Sequence, residues 1–270
     1  MGLYTKIIDL QKLIAAWLRA RKNKPAAGVD GVTYEQFDAN QKEEIKQLQL
    51  ELQARTYQPL PVREVRLYKG EKVRVIALYA MRDKVVQQSI ATELTAMYDG
   101  RFSSQTYAYR NNKSAITAVE EIDEKIRSGR YTSFLKVDIK NFFDNIVWQI
   151  LKQVLAESIT EDEVMELIHG NACAPCLDEN SGEIEEKRIG IHQGSAIAPI
   201  LSNIYLMEFD QWLSTGDVYF VRYSDDILIL GQDREALVGL LQEIKLRLER
   251  LGLRINETKS VVGFPSSSNI

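Results

Sequence analysis

Apolar residues recur along this chain at two spacings. Leu3, Ile7, Leu10, Ile14, Trp17 and Leu18 follow helical spacing and predict one opening helix, which runs into basic Arg21-Lys22-Asn23-Lys24-Pro25. A second helix is predicted over 34–54, with Thr33 as its N-cap. Residues 62–68 and 72–78 read as strands joined by the turn Lys69-Gly70-Glu71. Helices are predicted over 81–98 and 114–128, the latter stopped by Gly129. An apolar strand then leads to Asp138. Helices around 147–157 and 161–169 follow, and the turn cluster Asp178 to Gly182 joins two short strands. Pro199 opens a helix at its first turn. Asp233 caps a last long helix carrying Leu237, Leu240, Leu241, Ile244, Leu248 and Leu251, and Gly252 ends it. The tail 265–270 is expected to fray.

The sharpest chemical signal lies between two apolar strands. Val218-Tyr219-Phe220-Val221 and Ile227-Leu228-Ile229-Leu230 bracket Tyr223-Ser224-Asp225-Asp226. Two adjacent carboxylates at the tip of a buried hairpin resist ionising together unless a cation sits between them. Hard carboxylate oxygens suit Mg²⁺. Taken alone, the hairpin also reads as a solvated Asp-Asp turn. Phe134-Leu135-Lys136-Val137-Asp138 adds a third acid where a strand leaves the core. Three carboxylates on two strands suit a pair of metals roughly 3.5–4 Å apart, the arrangement of nucleotidyl transfer. Gly190-Ile191-His192-Gln193-Gly194-Ser195 by itself reads only as a turn before a buried helix, with Gly194 allowing close backbone approach.

Bulk properties narrow the picture. The 270 residues are enough for a substantial core, in one or two lobes. No apolar run approaches the roughly 20 residues that span a bilayer. No secretory segment is evident at the start, so a cytoplasmic protein without membrane partners is expected. The net charge of −4 is unusual for a nucleic-acid binder. The charges are clustered, however, and Arg63, Arg66, Lys69, Lys72 and Arg74 are expected to form a basic stripe on one face of a hairpin. Cys173 and Cys176 with His169 and His192 fall short of a convincing zinc set, and free thiols are the default.

The ordered set FLKVDIKNFFD, GIHQGSAIAPILSNIYL and RYSDDILIL resembles the palm of a reverse transcriptase, in particular the bacterial lineages related to group II intron proteins. Gly28 to Thr33, Tyr57 to Arg63 with Lys69 to Ile76, and Gly252 to Ser260 resemble further segments of that family, in the same order. The resemblance implies an α+β fold: the fingers and palm of a right-hand polymerase, with an antiparallel palm sheet packed on helices. Fingers are expected over 1–112, palm over 113–144 and 196–264, and an insertion over 145–195. A thumb is missing from the pattern, so a protein partner or further domain is expected to supply it.

The implied reaction is RNA-directed DNA synthesis on an RNA template, from a DNA or RNA primer, with deoxynucleoside triphosphates and two Mg²⁺ ions (Mn²⁺ as substitute). Asp138 and Asp225 are the first-choice metal ligands. Asp226 is expected to support them, and the Ile139 carbonyl to complete the second site. Lys259 is the expected acid for pyrophosphate. Lys69, Arg74, Gln193, Gly194 and Tyr223 are expected around the nucleotide. Phe143 matches the family's aromatic gate against a 2′-hydroxyl. A catalytically silent maturase-like RNA-binding module and an RNA-dependent RNA polymerase are the alternatives. The resemblance leaves the biological setting open among introns, CRISPR systems, retrons and phage defence.

Overall fold

The computed structural model describes residues 2–70, 72–178 and 181–265. The opening apolar pattern forms two helices, α1 (Leu3–Ile7) and α2 (Leu10–Ala20), rather than one. Asp9 makes the break: its carboxylate accepts the Lys12 N–H at 3.1 Å and caps α2. The second predicted helix is likewise split at Asn40, into α3 (Tyr34–Ala39) and α4 (Gln41–Gln53). Thr33 caps α3 in a reciprocal box with Gln36. Strands β1 (Val62–Lys69) and β2 (Lys72–Leu78) precede α5 (Met81–Tyr98). Ser114 caps α6 (Ala115–Arg127), which is followed by β3 (Ser133–Asp138), α7 (Trp148–Ala156) and α8 (Asp162–Ala172). Next come β4 (Cys176–Leu177), β5 (Ile184–Glu185), α9 (Ala198–Tyr205) and α10 (Met207–Leu213). Strands β6 (Tyr219–Tyr223) and β7 (Asp226–Gly231), α11 (Arg234–Arg250) and β8 (Val261–Gly263) complete the order. Neither α10 nor β8 is foreseen by the hydrophobic pattern. The expected fraying of the tail concerns 266–270, outside the described residues, and Pro265 just before them.

The chain divides into two compact units. The first comprises Met1–Met97 and Leu151–Leu201. Its sheet has the order β2-β1-β4-β5, with β1 and β4 parallel and the other pairs antiparallel. Val62, Ala77, Tyr79 and Ala174 are buried together behind it. Leu13 and Trp17 of α2 and Ile45, Leu48 and Leu52 of α4 are also buried in this unit.

The second unit comprises Tyr98–Ile150 and Ser202–Ile270. Its sheet, β6-β7-β3-β8, is antiparallel throughout. Residues 98–112 belong here rather than with the expected fingers. The reason is a backbone clasp: Tyr107 N–H donates to the Arg222 carbonyl at 2.9 Å, and Arg222 N–H to the Gln105 carbonyl at 2.9 Å. Helix α11 packs on β3 and buries Leu237, Ile244 and Leu248. On α6, Ala118 and Ile122 pack with Tyr107 and Val221. The α+β expectation, with an antiparallel palm sheet on helices, matches this unit. Among the described residues no helix is long and apolar enough to cross a membrane.

Candidate active site

The acidic hairpin forms where β6 and β7, each with a run of buried residues, pair antiparallel in one register. Tyr223 pairs with Asp226, leaving Ser224 and Asp225 as the turn. Ser224 adopts a left-handed φ of 61°, the conformation that a two-residue turn of this kind demands. Strand β3 lies beside β7, and its register sets Asp138 directly opposite Asp226. Residues paired this way face the same side of the sheet. Asp225 meets the same strand through its backbone: its carbonyl accepts the Ile139 N–H at 3.0 Å. Thus Asp138, Ile139, Asp225 and Asp226 come together at one end of the sheet.

The segment after α11 closes the other side of β3. Asn256 N–H donates to the Asp138 carbonyl at 2.7 Å, and Lys140 N–H to the Arg254 carbonyl at 2.8 Å. Asp138 N–H meets the Ser260 hydroxyl at 3.3 Å. Lys259 Nζ donates to Asp138 Oδ2 at 2.7 Å. That contact, helped by Asp226 and Asp225, holds the Lys259 ammonium above its usual range. Burial, then the neighbouring charges of Asp225 and Asp138, raise the Asp226 carboxyl above the ordinary value. Among the described residues no three His, Cys, Asp or Glu side chains are gathered closely enough to hold a metal ion. The chemistry of the donor set nonetheless fits one. The donors are hard carboxylate oxygens, the charges of Asp225 and Asp138 act on Asp226, and that mutual repulsion is what a divalent cation relieves.

Phe143 follows β3 in a short 3₁₀ turn; its ring centroid lies 5.5 Å from that of buried Phe142. Phe142 is core, while Phe143 is only partly covered. Tyr223 is exposed at the hairpin.

Gln193, Gly194, Lys69 and Arg74 belong to the first unit. The Gln193 carbonyl accepts the Ala77 N–H at 2.8 Å, which lays the Gln-Gly segment along the free edge of β2. Gly194 has φ 104°, and a Cβ there would stand 2.6 Å from the Ala77 carbonyl oxygen. Arg74 pairs with Leu67 across the ladder, and Lys69 pairs with Lys72 beside the turn. This register corrects the expected basic stripe at Arg66. Arg63 and Arg74 share one face, whereas Arg66, opposite Val75, falls on the other.

Two supports escaped the sequence reading. Buried Gln87 on α5 accepts from the Ser195 hydroxyl at 3.2 Å and from Ala196 N–H at 3.0 Å, bracing the loop after Gly194. Asp210 and Arg222 form a fully buried ion pair beneath the acidic hairpin. The available signal is charge set among apolar residues in each of two runs: Glu208 and Asp210 in Met207-Glu208-Phe209-Asp210, and Arg222 in Phe220-Val221-Arg222-Tyr223. The cysteines are free; burial pushes the Cys173 thiol up to about 11, and His192 Nε2 is engaged by the Ala174 carbonyl at 2.7 Å.

Comparison with known proteins bears on this arrangement. LtrA, a group II intron-encoded protein of Lactococcus lactis subsp. cremoris, is 28% identical over 251 residues, covering 92% of this chain and 41% of LtrA. The retron Ec83 reverse transcriptase of Escherichia coli is 24% identical over 218 residues, covering 77% of this chain and 66% of that protein. A chain of a partial Cas6-RT-Cas1–Cas2 complex shares the fold at TM-score 0.53 and 21% identity, over 92% of this chain and 43% of that one. The chain thus spans about two fifths of the length of LtrA. The family described as reverse transcriptase (RNA-dependent DNA polymerase) matches residues 68–268, and this protein belongs to it.

Proposed function

We propose that the chain is an RNA-directed DNA polymerase that adds deoxynucleotides to a primer 3′-hydroxyl opposite an RNA template. The observation that carries this reading is the register of β3 against β7, which pairs Asp138 with Asp226 and ties Asp225 to Ile139. Asp138 and Asp225, supported by Asp226 and the Ile139 carbonyl, would hold two Mg²⁺ ions. When bound, such ions lower the pKa of the attacking hydroxyl and neutralise charge on the leaving pyrophosphate.

The remaining work belongs to the chain. The backbone bonds on both sides of β3 keep Asp138 and Ile139 from drifting relative to the turn. Preorganised groups of this kind cost no rearrangement as charge develops. Lys259, a protonated donor already oriented on Asp138, serves as the acid for pyrophosphate. Lys69 and Arg74 hold the triphosphate, Arg by a bidentate grip and Lys as a point charge. The family resemblance assigns to the nucleotide Gln193 and Gly194 of the first unit and, in the second, Tyr223. Phe143 excludes a 2′-hydroxyl, which favours a DNA over an RNA polymerase. An intron or retron setting is the one that the intron-encoded and retron relatives support.

Primer extension on an RNA template with Mg²⁺ tests the reading. The wild type is expected to incorporate deoxynucleotides, and Asp225→Asn to lose at least ~1,000-fold in rate, in line with removal of an essential electrostatic group. RNA binding without any incorporation by the wild type would instead favour the silent binding module.

A further inference from the structure

Asp225 sits in a turn, and turns are ordinarily the loosest part of a hairpin. Here both peptide planes flanking it are clamped. The plane after Asp225 is fixed by the Ile139 N–H on the Asp225 carbonyl, at 3.0 Å. The plane before it is fixed from beneath: Arg222 Nη1 donates to the Ser224 carbonyl at 3.1 Å. The Ser224 hydroxyl also meets the Tyr109 hydroxyl at 3.2 Å.

The guanidinium that grips Ser224 is itself held on every side. Its Nε donates to Asp210 Oδ1 at 2.7 Å and Oδ2 at 2.9 Å, and Nη2 donates to Oδ2 at 2.6 Å. Nη1 also donates to Asn203 Oδ1 at 3.1 Å. Asp210 takes a further bond from the Thr106 hydroxyl at 2.7 Å, and Asn203 Nδ2 donates to the Ala108 carbonyl at 2.8 Å. Arg222, Asp210, Asn203 and Thr106 are all buried. A buried ion pair is poor support for stability alone, since desolvation offsets most of the Coulomb gain. This one leaves an arm of the fork free to reach the turn. Only a planar, five-donor group meets the carboxylate, the amide and the Ser224 carbonyl at once.

We propose that Arg222, oriented by Asp210 and Asn203, is a positioning residue that locks the Ser224–Asp225 peptide and so aims the Asp225 carboxylate. The inference rests on the polymerase reading for its kinetic arm, but its structural arm does not. With the turn locked, only the Asp225 side-chain torsions remain to be ordered when substrate arrives. Without the grip, Ser224 is free to leave its left-handed conformation, and the carboxylate wanders with it.

The test is Arg222→Lys in the full chain. Lysine keeps the charge opposite Asp210 but lacks the fork that spans to Ser224. Three quantities are read: the urea unfolding midpoint, kcat and KM for single-nucleotide incorporation, and hydrogen exchange of the 223–226 amides in metal-free protein. The expected result is a folded protein with faster turn exchange. Its kcat falls on the order of 100-fold, as for a misplacement of about 1 Å, with KM for the nucleotide within about 2-fold. The core variant Ile244→Val shows what destabilisation alone does, and is expected to leave turn exchange and kcat near wild type. If Arg222→Lys does not fold, Asn203→Ala, which leaves the ion pair whole, carries the same expectations. A folded variant with wild-type turn exchange and wild-type kcat overturns the proposal. A wild type that incorporates nothing defeats the polymerase reading, while the exchange comparison still decides the positioning role.

Discussion

Gly194, proposed for the nucleotide site, has little backbone freedom. Its φ of 104° lies where L side chains rarely go, and the Ala77 carbonyl leaves no room for a methyl group. Gly194→Ala therefore has to break either the Gln193–Ala77 hydrogen bond or the local conformation. A loss of about 1–3 kcal/mol in stability is expected, together with at least a ~10-fold fall in nucleotide incorporation. Chemical denaturation and primer extension check both; unchanged activity would show that this edge of β2 does not shape the nucleotide site. The residues of the acidic site were legible because each breaks its surroundings. Asp138 and Asp226 stand at the ends of apolar strands and Asp225 in the turn beside them, and like charges set so close resist ionising together unless a cation is near. Arg222 and Asp210 also break their surroundings but were passed over, because each resembles an ordinary surface charge until the other is seen beside it. Register, too, is invisible in a list of residues. The Arg66 side of the hairpin depends on which residue faces Val75, and a slip of one position reverses it.

At the scale of elements, caps decided what periodicity left open. The apolar spacing over 3–18 is continuous, yet Asp9 prefers to accept a backbone N–H and starts a new helix there. Strand β8 went unread because three residues carry too short a pattern to register. Helix α11 has the apolar stripe, the start and the stop before Gly252 that its sequence predicts. Asp233 accepts the N–H groups of Glu235 at 3.0 Å and Ala236 at 3.3 Å. Because α11 packs on the strand that carries Asp138, its first turn matters beyond the helix itself. Asp233→Ala is expected to cost about 1 kcal/mol, and Asp233→Asn much less, since Asn keeps an acceptor oxygen. Urea midpoints of the two variants measure the difference; equal midpoints would mean that the cap contributes nothing at this exposed site.

At the scale of the whole molecule, two buried titrating groups in the first unit pull its stability in opposite directions with pH. Burial pushes the Asp83 carboxyl up to about 6, outweighing the Tyr57 hydroxyl at 2.8 Å and the Leu60 N–H at 3.0 Å. Its folded pKa is raised, so its contribution is full below about 4 and is lost as pH rises through about 6. Burial lowers His192 to about 4, against the bond to the Ala174 carbonyl. Its contribution is full above about 6.5 and is lost as pH falls through about 4. Between those limits the two slopes largely cancel, and the wild type is expected to be nearly flat on their account. His192→Gln removes one slope while keeping an N–H donor for Ala174. Relative to wild type, the variant should gain up to about 3 kcal/mol on going from pH 7 to pH 4. Asp83→Asn should shift the opposite way, gaining on wild type by up to about 3 kcal/mol as pH rises from 4 to 7. Urea unfolding of the three proteins at both pH values provides the comparison. Parallel curves for all three would mean that neither group is held away from its ordinary pKa, and that the interior around Tyr57 and Tyr79 admits more water than its packing implies.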